Sequence, residues 1–193
     1  MMNGEVRLER CSGVAGLPVV CMDTVKKLGI VSDIVFDMKS REVKAFLLER
    51  KGYRIGKRAI LMEDVLSLGK DALIINDSTC ITPLKKLEES EGFKDKGDIR
   101  GLKVYSRRGS DLGIVKDILF DCTTGKIEGI EISDGLLQDV MNGRNILPLF
   151  GKVEFGEENI LVDNEAIEEI MNTGGGIKKK IFGEKDMKLF GKE

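Results

Sequence analysis

The sequence predicts a mainly β protein made of two tandem small β-barrels, each followed by a short helix. Three observations carry that expectation. The phrase LGIVSDIVFD at residues 28–37 returns as LGIVKDILFD at residues 112–121. The match extends on both sides of that phrase, through most of each half of the chain. Between turn residues, the segments are short and rich in β-branched side chains, the pattern of a small closed or nearly closed barrel.

The halves align in detail. Gly16-Leu17 matches Gly101-Leu102, and Val19 matches Val104. The register then holds from Leu28/Leu112 through Asp33/Asp117, Phe36/Phe120 and Asp37/Asp121. Further on, Val43 pairs with Ile127, Phe46 with Ile130, and Arg58, Ile60 and Leu61 with Arg144, Ile146 and Leu147. Near the end, Gly69 and Leu73 match Gly156 and Ile160. A match this long is a duplication. Its period, from Leu28 to Leu112, is too long for solenoid repeats and has the size of a small domain.

Each element follows from its residues. In GIVSDIVFD, simple alternation puts Ile30, Ile34 and Phe36 on one side and Val31 and Val35 on the other, as in a central strand. DMKSRE and DCTTGK read as hairpin turns, with Gly125 available for a left-handed residue in the second copy. The strands VKAFLLE and IEGIEIS follow, and the pairs Phe46/Ile130 and Leu48/Ile132 mark their core face. Segments 58–65 and 144–150 each contain a strand. Turns at Gly69-Lys70-Asp71 and Gly156-Glu157-Glu158 lead into ALIIN and ILVD, read as the last strand of each copy. A helix then closes each copy. The first is PLKKLEESE, with Thr82 as cap and Pro83 at its first position; the second is NEAIEEIMN, capped by Asp163 or Asn164. Domain boundaries follow: a first barrel at 1–90, a linker at 91–97, a second barrel at 98–172 and a flexible tail at 173–193.

Composition bounds the function. The 193 residues are 41% hydrophobic and 33% charged, with 8 Phe, 2 Tyr and no Trp, so aliphatic side chains do most of the packing. The net charge of −2 lacks the basic excess of a nucleic-acid-coating protein. Histidine is absent, which removes every catalytic triad or metal site that needs an imidazole. Cys11, Cys21, Cys80 and Cys122 contain no C-x-x-C pair and read as reduced, mostly buried side chains. No apolar run of about 18 residues suits a bilayer span, and the first residues lack the apolar stretch of a secretory signal. The expectation is a cytoplasmic protein without a transmembrane segment.

The motifs Gly16-Leu17-Pro18-Val19 and Gly29-Ile30-Val31-Ser32-Asp33-Ile34-Val35-Phe36-Asp37, followed by the strand 43–48, recur at 101–104, 113–121 and 127–132. With them the chain resembles the PRC-barrel family over roughly residues 12–86 and 98–170. That family's typical run is a Gly-Leu-x-Val opening, a Gly-x-Val-x-Asp-x-x-Phe-Asp strand and turn, and a strand carrying Gly or Ala. The resemblance implies a small β-barrel used as a docking module, with no shared catalytic constellation. Family members include the cytoplasmic part of a photosynthetic reaction-centre subunit and the C-terminal domain of a ribosome-maturation factor. Short stand-alone versions occur in spore-forming bacteria. This chain lacks the membrane helix of the former, and has a second barrel in place of the other domain of the latter.

Candidate sites are few. Asp33/Asp117 and Asp37/Asp121 are shared carboxylates, read as turn openers and backbone partners, or as partners of Arg58 and Arg144, rather than as acid–base or cation groups. No phosphate-binding glycine motif is present. In SDGLLQDVMNG, Leu136, Leu137, Val140 and Met141 form an apolar stripe that either folds back on a barrel or serves as a binding patch. After the glycine hinge 174–176, the tail carries Lys178, Lys179, Lys180, Ile181 and Phe182, a basic and apolar mixture suited to a partner or an anionic membrane surface. No catalytic residue, cofactor or metal is expected. The favoured expectation is a non-catalytic adaptor for protein partners. The alternatives are an RNA-linked factor in ribosome maturation and a peripheral membrane factor in sporulation.

Overall fold

The computed structural model describes residues 7–37, 39–49, 56–88, 99–133, 145–149 and 153–163. The chain divides into two compact units. The first comprises Glu9–Asp98 with Cys122–Ile127, and the second Met1–Leu8, Ile99–Asp121 and Glu128–Glu193. The linker expected at 91–97 and the tail expected at 173–193 lie outside the described residues.

The elements in chain order begin with β1 (Leu8–Arg10), α1 (Cys11–Val14), β2 (Pro18–Cys21), β3 (Lys26–Asp37) and β4 (Glu42–Leu48). They continue with β5 (Arg58–Leu61), a 3-10 turn (Met62–Asp64), β6 (Val65–Leu68), β7 (Leu73–Ile75), β8 (Ile81–Pro83) and α2 (Leu84–Glu88). The second copy supplies β9 (Lys103–Ser106), β10 (Asp111–Asp121), β11 (Ile127–Ser133), β12 (Asn145–Pro148), β13 (Val153–Phe155) and β14 (Asn159–Val162). The fold is mainly β, with a curled sheet in each of the two units.

In the first unit the strand order is β6-β7-β2-β3-β4-β5-β8. In the second it is β12-β11-β10-β9-β14-β13, with β1, whose Leu8 belongs to this unit, joined to β10. Both orders place the long repeated strand, β3 or β10, inside the sheet. Both contain a parallel pair, β2 with β7 and β9 with β14.

The opening motif has a common geometric role. Gly16 and Gly101 sit at φ +92° and +88°, where a side chain is disfavoured. Each turns the chain into its first strand. Gly16 N–H donates to Val31 O at 2.8 Å, and Gly101 N–H to Val115 O at 2.8 Å. In return Val31 N–H reaches Leu17 O at 2.9 Å, and Val115 N–H reaches Leu102 O at 3.0 Å. The later turns repeat too: Gly69 N–H donates to Ala72 O, as Gly156 N–H does to Asn159 O.

Phe46, Ile130, Leu48 and Ile132 are buried, as expected for the core face. The simple alternation expected for β3 does not hold. Val31 is fully buried while Ile30 is only half-buried. A bulge explains this: Val31 lies opposite Leu48 and Ile34 opposite Phe46, so Ser32 is an extra residue. One extra residue places Val31 and Ile34 on the same face.

Register also corrects the sequence match around β5. Ile60 lies opposite Phe46, but the residue opposite Ile130 is Leu147. The structural partner of Ile60 is therefore Leu147, not Ile146, and Ile146 takes the place of Ala59. The second face of each sheet confirms the shift. In the first unit Val35, Ala45 and Ala59 pack with Leu84 and Leu87 of α2. In the second, Leu8 and Leu119 pack with Ile146. Gly129 stands where the first copy has Ala45, and a Cβ there would meet Ile146 at 3.2 Å. Two alanines make room for a helix in one copy; one glycine makes room for a larger side chain in the other.

Two further expectations are revised. The first copy does not end with β7, because β8 follows and pairs with β5. Pro83 belongs to that strand, and the helix starts at Leu84. A strand at the end of the sheet order tolerates Pro, whose missing N–H takes no ladder bond there. The helix expected after Asn164 lies outside the described residues.

The turn segment 122–127 is counted in the first unit for a concrete reason. Val43 N–H donates to Gly125 O at 2.7 Å, and Ile127 N–H donates to Arg41 O at 2.9 Å. Gly125 supplies the expected left-handed residue at φ +74°, and Arg41 is left-handed at φ +55° in the first copy.

Candidate functional site

Of the shared carboxylates, Asp33, Asp37 and Asp117 accept backbone N–H groups. Asp37 Oδ1 accepts the Lys39 N–H at 2.8 Å, the turn-opening bond expected of it. Burial acts to raise its pKa, but the bonds from Lys39 and Ser40 outweigh burial and hold the carboxyl below its ordinary value. Asp33 and Asp117 each accept from the following residue, Ile34 and Ile118, at 2.8 Å. Among the described residues no three Cys, Asp or Glu side chains come together as a metal site. None of the four cysteines forms a disulfide, and Cys11, Cys21 and Cys122 are buried.

Candidate surfaces emerge where corresponding positions of the copies differ. The inward residues of β9, β14 and β13 are buried: Val104, Ile160, Val162 and Val153 are aliphatic, and Ser106 is the polar member of β9. Alternation points their neighbours outward. Tyr105 lies opposite Leu161, and Leu161 opposite Glu154, so these three form one row across the sheet. In the first copy the same row is Val20, Ile74 and Ser67. An aromatic–aliphatic–acidic row thus replaces a smaller neutral one on an equivalent scaffold.

The turns beside these rows diverge as well. In the first copy, Met22 N–H donates to Ile75 O and Asp23 N–H to Asn76 O, fixing the β2–β3 turn against the end of β7. This turn presents Met22 at 57% and Val25 at 82% exposure. Val25 has φ +52°, a conformation that a β-branched residue rarely adopts. In the second copy Arg107 N–H donates to Val162 O, the corresponding anchor. Here the turn carries Arg107 and Arg108, and its left-handed residue is Gly109 at φ +83°. The Arg107 guanidinium pairs with Glu154 and lies 3.9 Å from Asp163. The helix that Asp163 or Asn164 is expected to cap lies outside the described residues.

The second-copy row forms the floor of a shallow groove of about 630 Å³. Tyr105, Phe155 and Leu161 supply its apolar lining, and Glu154, Glu157 and Glu158 its acidic rim. Lys103 Nζ stands 6.0 Å from the Tyr105 ring centroid and 3.8 Å from Asp111, flanking the groove. The groove suits an extended ligand with basic and apolar groups: carboxylates meet cations, and ring and methyl surfaces cover aliphatic carbon.

The residues expected from sequence, Leu136, Leu137, Val140, Met141, Lys178, Lys179, Lys180, Ile181 and Phe182, lie outside the described residues. The surfaces described above carry no shared motif in the two copies. Their signal in the sequence is the set of positions where the copies disagree, such as Tyr105 where the first copy has Val20. No helix among the described residues is long and apolar enough to cross a membrane.

The PRC-barrel domain model matches the chain twice, over residues 8–79 and 91–168. The chain is also 30% identical over 160 residues to the uncharacterized protein YrrD of Bacillus subtilis (strain 168). That alignment covers 81% of this chain and 88% of the relative. Two matched domains, the paired Gly16 and Gly101 bends, and two curled sheets of equivalent order agree: the chain belongs to the PRC-barrel family, with the domain present in tandem.

Proposed function

We propose that the chain is a non-catalytic protein-interaction module whose two barrels offer different partners two different surfaces. One observation carries this reading. Equivalent rows on equivalent scaffolds hold Val20, Ile74 and Ser67 in one copy and Tyr105, Leu161 and Glu154 in the other. The cores remain predominantly apolar in both, so the copies share their folding chemistry and differ in what they show to solvent. The exposed Met22 and Val25 support an apolar contact for the first barrel, and Arg107 with the acidic groove supports a charged one for the second.

The reading is tested by affinity capture with tagged full-length protein from a lysate of its own cells, with and without nuclease, followed by mass spectrometry. Protein partners that survive nuclease are the expected result. Ribosomal proteins that vanish with nuclease would replace this reading with an RNA-linked role in ribosome maturation. Turnover of any substrate by the purified protein would overturn the non-catalytic part.

A further inference from the structure

We propose that the acidic groove of the second barrel binds the chain's own basic segment, residues 177–182. Three features of the molecule converge on this occupant.

The first is chemical complementarity. The groove combines Tyr105, Phe155 and Leu161 with Glu154, Glu157 and Glu158. The segment reads Ile177-Lys178-Lys179-Lys180-Ile181-Phe182, three consecutive cations bracketed by apolar side chains. Arg107 already neutralises part of Glu154, whereas Glu157 and Glu158 are exposed on the turn. Those two are the carboxylates assigned to the lysines.

The second is connectivity. Asn159 and Leu161 of β14 line the groove, and β14 ends at Val162. The segment therefore leaves from the groove's own strand. The 13 residues between Asp163 and Ile177 span up to roughly 45 Å when extended, enough to return to the groove. A tether of this kind gives an effective concentration on the order of millimolar, so even weak contacts suffice for occupancy.

The third is the contrast between copies. At the first copy's corresponding turn stand Lys70 and Asp71, where the second has Glu157 and Glu158. Its row, Val20-Ile74-Ser67, has neither ring nor carboxylate. The acidic groove is thus a property of the copy from which the basic segment hangs.

Docking of this segment makes the tail a built-in competitor for the second barrel's surface. The inference goes beyond the adaptor reading, because tail docking is measured on the isolated full chain without any partner.

The test is hydrogen–deuterium exchange on the full-length protein, in wild type and in charge-reversed variants. Amides of residues 177–182 are expected to exchange at least about fivefold more slowly than in an unstructured chain. Glu157→Lys with Glu158→Lys is expected to abolish that protection, as is reversing Lys178, Lys179 and Lys180 to Glu. Combining the two sets restores the attraction with opposite polarity, and protection is expected to return. This rescue separates docking from a folding defect. Free exchange of 177–182 in wild type would overturn the proposal, and so would protection indifferent to Glu157 and Glu158.

Discussion

The two copies place the same backbone at the same bends with different side chains, and the differences are not evenly distributed. At Gly16 and Gly101 the conformational demand is met identically, with φ near +90° in both. Elsewhere the second copy uses glycine where the first carries a side chain. Gly109 and Gly125 are the left-handed residues of the second copy's turns, whereas the first uses Val25 and Arg41. The buried faces stay predominantly apolar while outward rows and turn tips change chemistry. Duplication has kept what folds the barrel and varied what the barrel displays.

The sharpest way to break the apparent equivalence is at Gly29 and Gly113, which align in sequence. Gly113 has φ +118°, and a Cβ there would lie 2.0 Å from Ser133 O. Gly29 has only the Leu48 side chain nearby, at 3.4 Å. Gly113→Ala is expected to destabilise the second unit by more than about 2 kcal/mol, and Gly29→Ala to change the first by roughly 0.5 kcal/mol or less. Because a two-unit chain is not safely two-state, the readout is native-state hydrogen exchange resolved by unit.

Next in size is the helical cover of the first unit. Leu84 packs on Ala45 and Ala59, and Leu84→Ala is expected to cost about 2 kcal/mol in that unit alone. A loss shared equally by both units would contradict their description as separate cores. Smaller and opposite in sign is Val25→Gly, which removes a left-handed β-branched residue and is expected to stabilise the first unit by about 0.5 kcal/mol. Urea titration followed by the same exchange measurement gives the sign.

The smallest effect is the acid dependence of the first unit. Side-chain bonding to Lys44 holds Glu42 below its ordinary value, and bonds from Thr79 do the same for Asp77. Asp37 is lowered as well, the bonds from Lys39 and Ser40 exceeding the opposing effect of burial. Carboxyls with depressed folded-state pKa values contribute stability above their unfolded values, and lose it as pH falls through the folded ones. Stability is therefore expected to be flat above about pH 5 and to decline below about pH 4. A rise in stability on acidification would show that these bonds are absent in solution.

Much of the fold was legible because the duplication acts as an internal control. Phe46 with Ile130 and Leu48 with Ile132 identified a core face without any structure. Bulges were not legible: nothing in Ser32 announces an extra residue, so Ile30 was placed where Val31 belongs. The Ile60–Ile146 match failed for a related reason, since identity of residue type outvoted the register that puts Leu147 opposite Ile130. Thr82-Pro83 carried a strong helix-start pattern, and tertiary pairing of β8 with β5 overrode it. As for the candidate surfaces, exposed rows such as Tyr105-Leu161-Glu154 have no local pattern of their own. They become visible once the parallel β9–β14 pairing aligns distant residues.

The most direct test of the central claim is affinity capture with two full-length variants beside the wild type. One carries Met22→Ser and Val25→Asn in the first barrel; the other carries Tyr105→Thr and Leu161→Thr in the second. The account predicts that each variant loses a different subset of nuclease-resistant partners while keeping the rest. Loss of the same partners by both variants, or of none by either, would contradict two barrels with two distinct surfaces.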